Sequence, residues 1–168
     1  MMNRDETATL QTLSMGTFGT GYFDLPVKAQ AMIRSMVAYD PGCWRVPLSE
    51  RTVRVWFCFR GESFFDEQHP KYNSEKKGLV LPLDEAVSLL SECVTPADSF
   101  SLAYPDSDCD LEISGENEEC FRVAFSIAKC AGTFTQHSVS LEDAERTIRD
   151  PFETIPTLVA KGFVYRHI

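Results

Sequence analysis

The sequence has no run of apolar residues approaching the roughly 20 that cross a membrane as a helix. Its first residues also lack the apolar segment of a secretory signal. Both absences predict a protein of the cytoplasm, where cysteines stay reduced. The six cysteines are therefore expected to be free thiols. None of them forms a C-x-x-C pair, the spacing that binds zinc or exchanges disulfides.

Motifs for catalysis and cofactor binding are also missing. The chain has neither H-E-x-x-H nor G-x-S-x-G, and its glycine-rich stretch at 16–21 lacks the Lys-Ser/Thr pair of a phosphate-binding loop. Among three histidines, only His137 has a thiol nearby in sequence, Cys130. A polar surface histidine is the simpler interpretation of His137. We expect no catalytic residue, no metal and no cofactor, and no motif resembles a known family.

Basic residues are absent from one stretch, residues 106–119, and this stretch dominates the charge of the protein. The chain has 25 acidic and 16 basic residues, a net charge of −9. Seven of the acids lie in this stretch: Asp106, Asp108, Asp110, Glu112, Glu116, Glu118 and Glu119. The first four occupy alternate positions, and in a strand alternate side chains share a face. The sequence therefore predicts a carboxylate row (Asp106, Asp108, Asp110, Glu112) opposite a buried row, followed by an acidic turn (Glu116, Glu118, Glu119).

The carboxylate row has three interpretations. A calcium loop of the EF-hand type starting at Asp106 would need glycine at position 111 and glutamate at position 117, where the chain has Leu111 and Asn117. The row is then either a solvated strand face or a surface that attracts basic proteins. Such a surface repels DNA, RNA and anionic membranes, so neither direct nucleic-acid binding nor membrane binding is expected.

The apolar pattern predicts one α+β domain with a mostly antiparallel sheet of about five strands and helices packed on it. Residues 1–22 are expected to be a flexible or irregular arm, and residues 23–168 the domain. Predicted helices cover 25–39, 83–94, 140–149 and 154–161, and predicted strands cover 51–60, 99–104, 108–114, 119–129, 131–137 and the C-terminal FVYRHI. The expected core includes Phe57, Phe59, Phe121, Val123, Phe125 and Ile127.

Trp56 is the other candidate binding residue. It alternates with the core positions of the 51–60 strand, so it points to the outer face beside Arg54 and Arg60. A covering helix would bury it. Without such a helix it is an exposed aromatic flanked by arginines, a composition typical of interface hot spots.

The composition favours a non-enzymatic binding protein that neutralises a basic partner, in the manner of an immunity protein, an antitoxin or a phage-encoded inhibitor. The partner would be a basic protein such as a toxin or an enzyme that handles nucleic acids, and its acidic contact would comprise the carboxylate row, the acidic turn and Trp56. The alternatives are a small enzyme or ligand-binding domain whose site forms only in the fold, and a structural or oligomeric subunit. The sequence leaves the partner, the oligomeric state and the sheet face that helices cover undetermined.

Overall fold

The structure is a computed structural model. It describes residues 2–40, 42, 46–47, 50–59, 62–63, 78–93, 98–105, 107–150, 152 and 154–168. Asp106, Arg60 and most of residues 61–78 lie outside these residues. The side chains of Phe57 and Phe59 do too, so their predicted burial stays a prediction.

One antiparallel sheet organises the described chain. Its strands are β1 (Thr52–Phe59), β2 (Glu62–Ser63), β3 (Leu79–Pro82), β4 (Ser99–Ala103), β5 (Cys109–Gly115), β6 (Phe121–Ile127), β7 (Gly132–Val139) and β8 (Val164–His167). The order across the sheet is β2-β1-β4-β5-β6-β7-β8, with β3 also paired to β1. The predicted α+β class is confirmed. The strand number was underestimated, because β2 and β3 are short segments that become strands by pairing along β1.

Five α-helices occur among the described residues: α1 (Arg4–Phe18), α2 (Val27–Val37), α3 (Leu83–Cys93), α4 (Leu141–Arg149) and α5 (Ile155–Ala160). None of these described helices is long and apolar enough to cross a membrane. Local signals place several ends. Ser140 caps α4 by accepting a hydrogen bond from the Asp143 backbone at 3.1 Å, and an acidic first turn follows it.

The core lies between the helices and one face of the sheet. Cross-strand partners on this face are Val55 and Leu102, Leu111 and Phe125, and Phe134 and Tyr165. All six side chains are buried. Helix α3 contacts β1 and β3, α4 contacts β6, and α1 contacts β8. The predicted register is confirmed for the four core residues of β6, namely Phe121, Val123, Phe125 and Ile127.

The predicted irregular arm is different in the structure, where residues 4–18 form helix α1. Leu10 and Leu13 of this helix are buried. Asn3 caps its start, and Gly19 ends it in the left-handed conformation at φ 66°. The threonines and glycines that suggested irregularity are tolerated because tertiary contacts with β8, α2 and α5 stabilise the helix.

Helix α1 meets β8 through a close contact around Tyr165. A Cβ atom added to Gly16 would lie 2.6 Å from Cδ1 of the Tyr165 ring, and one added to Gly132 would contact the ring from β7. The Tyr165 hydroxyl donates to the Cys130 carbonyl at 2.7 Å. Two glycines thus leave the space that this buried ring occupies between helix and sheet.

Candidate functional site

The side chains of β5 alternate as the sequence predicted. Cys109, Leu111 and Ile113 are buried against the helices, whereas Asp110 and Glu112 are exposed on the other face. Asp108, just before the strand, is also exposed. Three of the four predicted carboxylates are therefore described, and they follow one line along the sheet.

The carboxylates stand on the sheet face opposite the helices, which we call the open face. Its side chains, most of them exposed or half-buried, include, from β1 to β8, Arg54, Trp56, Ser101, Ala103, Asp110, Glu112, Arg122, Ala124, Ser126, Thr133, Thr135, Val164 and Arg166. None of the helices that the structure describes covers them. Apart from Arg122, these side chains on β4, β6 and β7 are small, so Asp110 and Glu112 of β5 project above most of the strand surface beside them.

Trp56 lies on the open face, as its position in the strand predicted, and is half-buried. Its cross-strand neighbour is Ser101. The backbone of Gly78 lies so close that a Cβ atom there would be 2.6 Å from the Trp56 indole and 2.8 Å from Cγ of Arg54. The backbone of Gly78 therefore packs against the Trp56 indole at the β1 side of the open face.

The start of the carboxylate row is fixed by Tyr39, just beyond the end of α2. Its ring is buried, its hydroxyl forms hydrogen bonds with the Ser107 side chain and the Asp108 backbone, and burial raises the pKa of that hydroxyl. The Ala128 amide donates to the Asp108 carbonyl at 3.2 Å. These contacts hold the backbone of Asp108 while its side chain stays exposed.

Glu112 is partly neutralised by a cation on the next strand. Nη1 of Arg122 on β6 lies 2.8 Å from Oε1 of Glu112, and both side chains are partly exposed. In contrast, Asp110 has no ion-pair partner among the described residues. Partial burial raises the pKa of the Asp110 carboxyl. Asp108 and Asp110 thus supply the least compensated charge of the row.

Glu116 of the acidic turn is bound to β7 at a β-bulge. The register places His137 and Ser138 of β7 opposite the single residue Arg122 of β6, and Ser138 has a φ of 56°. Oε1 of Glu116 contacts Nδ1 of His137, and Oε2 accepts from the Ser138 amide at 2.9 Å. Because an ionised carboxylate only accepts, Nδ1 carries the proton. Glu118 and Glu119 are exposed beyond this contact.

The contacts of Glu116 predict its titration. The His137 hydrogen bond, followed by that of the Ser138 amide, holds the pKa of Glu116 below its ordinary value. A depressed folded-state pKa stabilises the folded turn above the ordinary glutamate pKa, and this contribution is lost as pH falls through the lower folded value. The NMR chemical shift of the Ser138 amide should therefore report a titration midpoint below the ordinary glutamate pKa of about 4.3.

Two variants test the assignment. His137→Ala should raise the titration midpoint sensed at Ser138 towards the ordinary glutamate value, because it removes the largest cause of the shift. Arg122→Gln should raise it less, since Arg122 acts only through its charge. Equal midpoints in the native protein and in His137→Ala would contradict the contact.

A hollow adjoins the least compensated carboxylates. It has a volume of about 410 Å³ and lies beside Asp108 and Asp110, with small residues of β6 and β7 in its lining. Ser126, Ala128 and Gly132 are among its lining residues. The hollow therefore combines exposed carboxylates with room for a side chain from another molecule.

His137 and Cys130, the pair noted in the sequence, are not brought together. His137 contacts Glu116, whereas Cys130 is buried and its thiol lies 3.7 Å from the Met36 carbonyl. Burial raises the pKa of the Cys130 thiol to about 12, so it is not a nucleophile. Cys109, Cys120 and Cys130 are free. Within the described part of the chain, no group of three His, Cys, Asp or Glu side chains is placed to hold a metal ion.

Arg122 and Arg166 are the site residues that sequence reasoning missed. Arg122 neutralises Glu112, and Arg166 lies in the same cross-strand row as Asp110, through Ser126 and Thr133. Each arginine occupies an outward position of an alternating strand, which is the only signal in the sequence.

Comparison with protein-family models, with curated proteins and with solved structures finds no match to this chain.

Proposed function

We propose that this protein is a non-enzymatic binding protein of the cytoplasm that neutralises a basic protein partner, as an immunity protein, an antitoxin or a phage-encoded inhibitor does. The observation that carries the proposal is the exposed line of Asp108, Asp110 and Glu112 on an open sheet face. The small side chains beside it let cationic groups of a partner approach the carboxylates closely. A partner of this kind is a toxin or an enzyme that handles nucleic acids, whose basic cleft the acidic surface would occupy.

The hollow beside Asp108 and Asp110 gives the contact an anchor. A lysine or arginine side chain fits its volume of about 410 Å³ and would bring its charge to both carboxylates. Since Asp110 lacks an ion-pair partner among the described residues, an incoming cation displaces no internal one. The acidic turn, held at Glu116, would extend the contact through Glu118 and Glu119.

The open face also carries positive groups, and these favour a particular partner. Arg54 lies two strands from Asp110 on one side, and Arg166 lies three strands away on the other. A uniformly basic surface would be repelled by both arginines. The preferred partner therefore presents a central cation between acidic groups. Trp56, beside Arg54, would add aromatic contact at that margin.

The test is charge reversal in the row, with Asp108→Lys and Asp110→Lys combined. Candidate partners come from affinity capture with a mass readout. Steering by opposite charges raises association rates, so the double variant should associate about tenfold more slowly and with a weaker salt dependence. Surface plasmon resonance at several salt concentrations measures both. Folding should be retained, because both side chains are exposed.

The matched control reverses two exposed acids away from the open face, Asp24→Lys with Asp150→Lys. Its net charge changes equally, so a comparable loss of rate would assign the effect to total charge. An unchanged rate and salt dependence in the Asp108/Asp110 variant would place the interface elsewhere, with Trp56 and Arg54 the next residues to test.

A small-ligand binder is the second candidate, and a separate groove favours it. The groove lies between α1, α2 and α5 and has a volume of about 470 Å³. Leu10, Val37 and Pro156 supply apolar walls, while Asp5 and Arg34 supply opposite charges. Ligand-dependent NMR shifts confined to these residues would support this candidate over the first.

A further inference from the structure

The open face between β5 and β8 has a charge pattern that complements itself. One cross-strand row runs Asp110, Ser126, Thr133, Arg166, on β5, β6, β7 and β8 respectively. Its ends carry opposite charges and its middle carries two small side chains. Asp110 and Arg166 are both exposed, and neither has an ion-pair partner in the part of the chain that the structure describes.

The midpoint of this row is the seam between β6 and β7. Neighbouring strands are about 4.8 Å apart, so Asp110 and Arg166 each lie about 7 Å from the seam. Consider a two-fold axis that lies above the open face, over the seam and parallel to it. This axis places β5 of one copy over β8 of another, and β6 over β7. Because the axis is parallel to the strands, each row faces its own copy. Asp110 then faces Arg166 of the second copy, and this contact occurs twice.

From this geometry we infer that the open face is a self-association surface, on which a second copy of the chain docks to form a two-fold symmetric sandwich of two sheets. Each copy uses the same patch, as a two-fold interface requires. Packed sheets lie about 10 Å apart. A long arginine and a short aspartate can together span that gap.

The side chains at the seam permit this approach. Ser126 would face Thr133 of the second copy, and Ala124 would face Thr135, so no large group holds the sheets apart there. The adjacent cross-strand row begins at Glu112 and ends at Val164, whose side chain is 59% exposed. Val164 of one copy would cover the methylene groups of Glu112 of the other. Near the bulge, Arg122 pairs with Glu112 and His137 pairs with Glu116 within the same copy.

Two features limit the strength of this dimer. The patch is four strands wide, about 15 Å between the outer strands, which is at the small end for a specific interface. Each chain also carries a net charge of −9, which opposes association. At about 0.15 M salt the Debye length is about 8 Å, so long-range repulsion is screened while direct ion pairs persist. A dissociation constant in the micromolar range is expected.

Sedimentation velocity of the full chain at about 0.15 M salt tests the inference. The native protein should change from monomer to dimer as its concentration rises through the micromolar range. Asp110→Arg and Arg166→Asp should each raise the dissociation constant at least about tenfold, because each turns two attractive contacts into repulsive ones. The double variant Asp110→Arg/Arg166→Asp should recover the native value, since it restores both pairs in the opposite sense.

Asp150→Arg, an equal charge change at the end of α4, should leave the dissociation constant unchanged. Ser126→Trp adds bulk at the seam without changing charge and should abolish the dimer. This variant tests the same interface if a charge variant fails to fold. A native protein that stays monomeric, a dimer that is indifferent to Ser126→Trp, or a double variant that does not recover would each overturn the inference. The measurement uses the isolated protein, so its outcome is independent of the proposed basic partner.

Discussion

Replacing Phe125 with alanine should lower the free energy of unfolding by about 4 kcal/mol, a large part of the roughly 5–15 kcal/mol by which single domains are stable. Phe125 is fully buried at the centre of the sheet. Its ring packs edge-on against Phe152 at 5.1 Å between centroids and against Phe163 at 5.5 Å. Alanine removes these contacts and leaves a cavity between sheet and helices.

Urea unfolding at neutral pH measures the effect, with Phe23→Ala as control. Phe23 is 64% exposed, and its only described ring contact is with Tyr22. Its truncation should cost less than about 1 kcal/mol. A loss below about 1.5 kcal/mol for Phe125→Ala would mean that the helices pack more loosely on the sheet than described.

The second large effect is expected from adding one methyl group, with Gly132→Ala. The new Cβ atom would lie 2.5 Å from the Arg166 carbonyl oxygen and against the Tyr165 ring. Because the carbonyl belongs to the backbone of β8, relief requires moving a whole strand. A destabilisation of about 3 kcal/mol is expected from such overpacking.

Gly21→Ala is the matched control, because the nearest atom to its added Cβ is the side-chain Nε2 of Gln11 at 2.9 Å. Moving this side chain costs at most the hydrogen bond that its Oε1 accepts from the Tyr22 amide, so the expected loss is about 1 kcal/mol. Thermal unfolding of both variants gives the comparison. Equal melting temperatures would show that β8 adapts to the extra methyl group and is not fixed by Tyr165.

Sequence patterns predicted the elements whose signal is local. The alternation of β5 and β6 and the helix predicted over 140–149 each depend on residues within a few positions, and each appears in the structure. Helix α1 was missed because its stability comes from contacts with β8, far along the chain. Its own apolar pattern is weak, with Leu10 and Leu13 its buried leucines.

The candidate site divides in the same way. The outward direction of Asp110 and Glu112 follows from strand periodicity alone. The positions of Arg122 and Arg166 relative to them depend on the register between strands, which bulges and turns determine. The contact of Glu116 with His137 likewise exists only because a bulge brings His137 to the acidic turn. Charge content was therefore readable from the sequence, and charge compensation was not.

The contact of α1 with β8 has a consequence for how the chain folds. A ribosome makes α1 well before it makes β8, so Leu10 and Leu13 lack part of their final environment until the last strand appears. Contacts between such distant segments close large loops and form slowly. The central strands β4, β5 and β6 pair with their neighbours in sequence and can form first. Docking of α1 is thus expected to be a late step, during which its apolar side is open to chaperones.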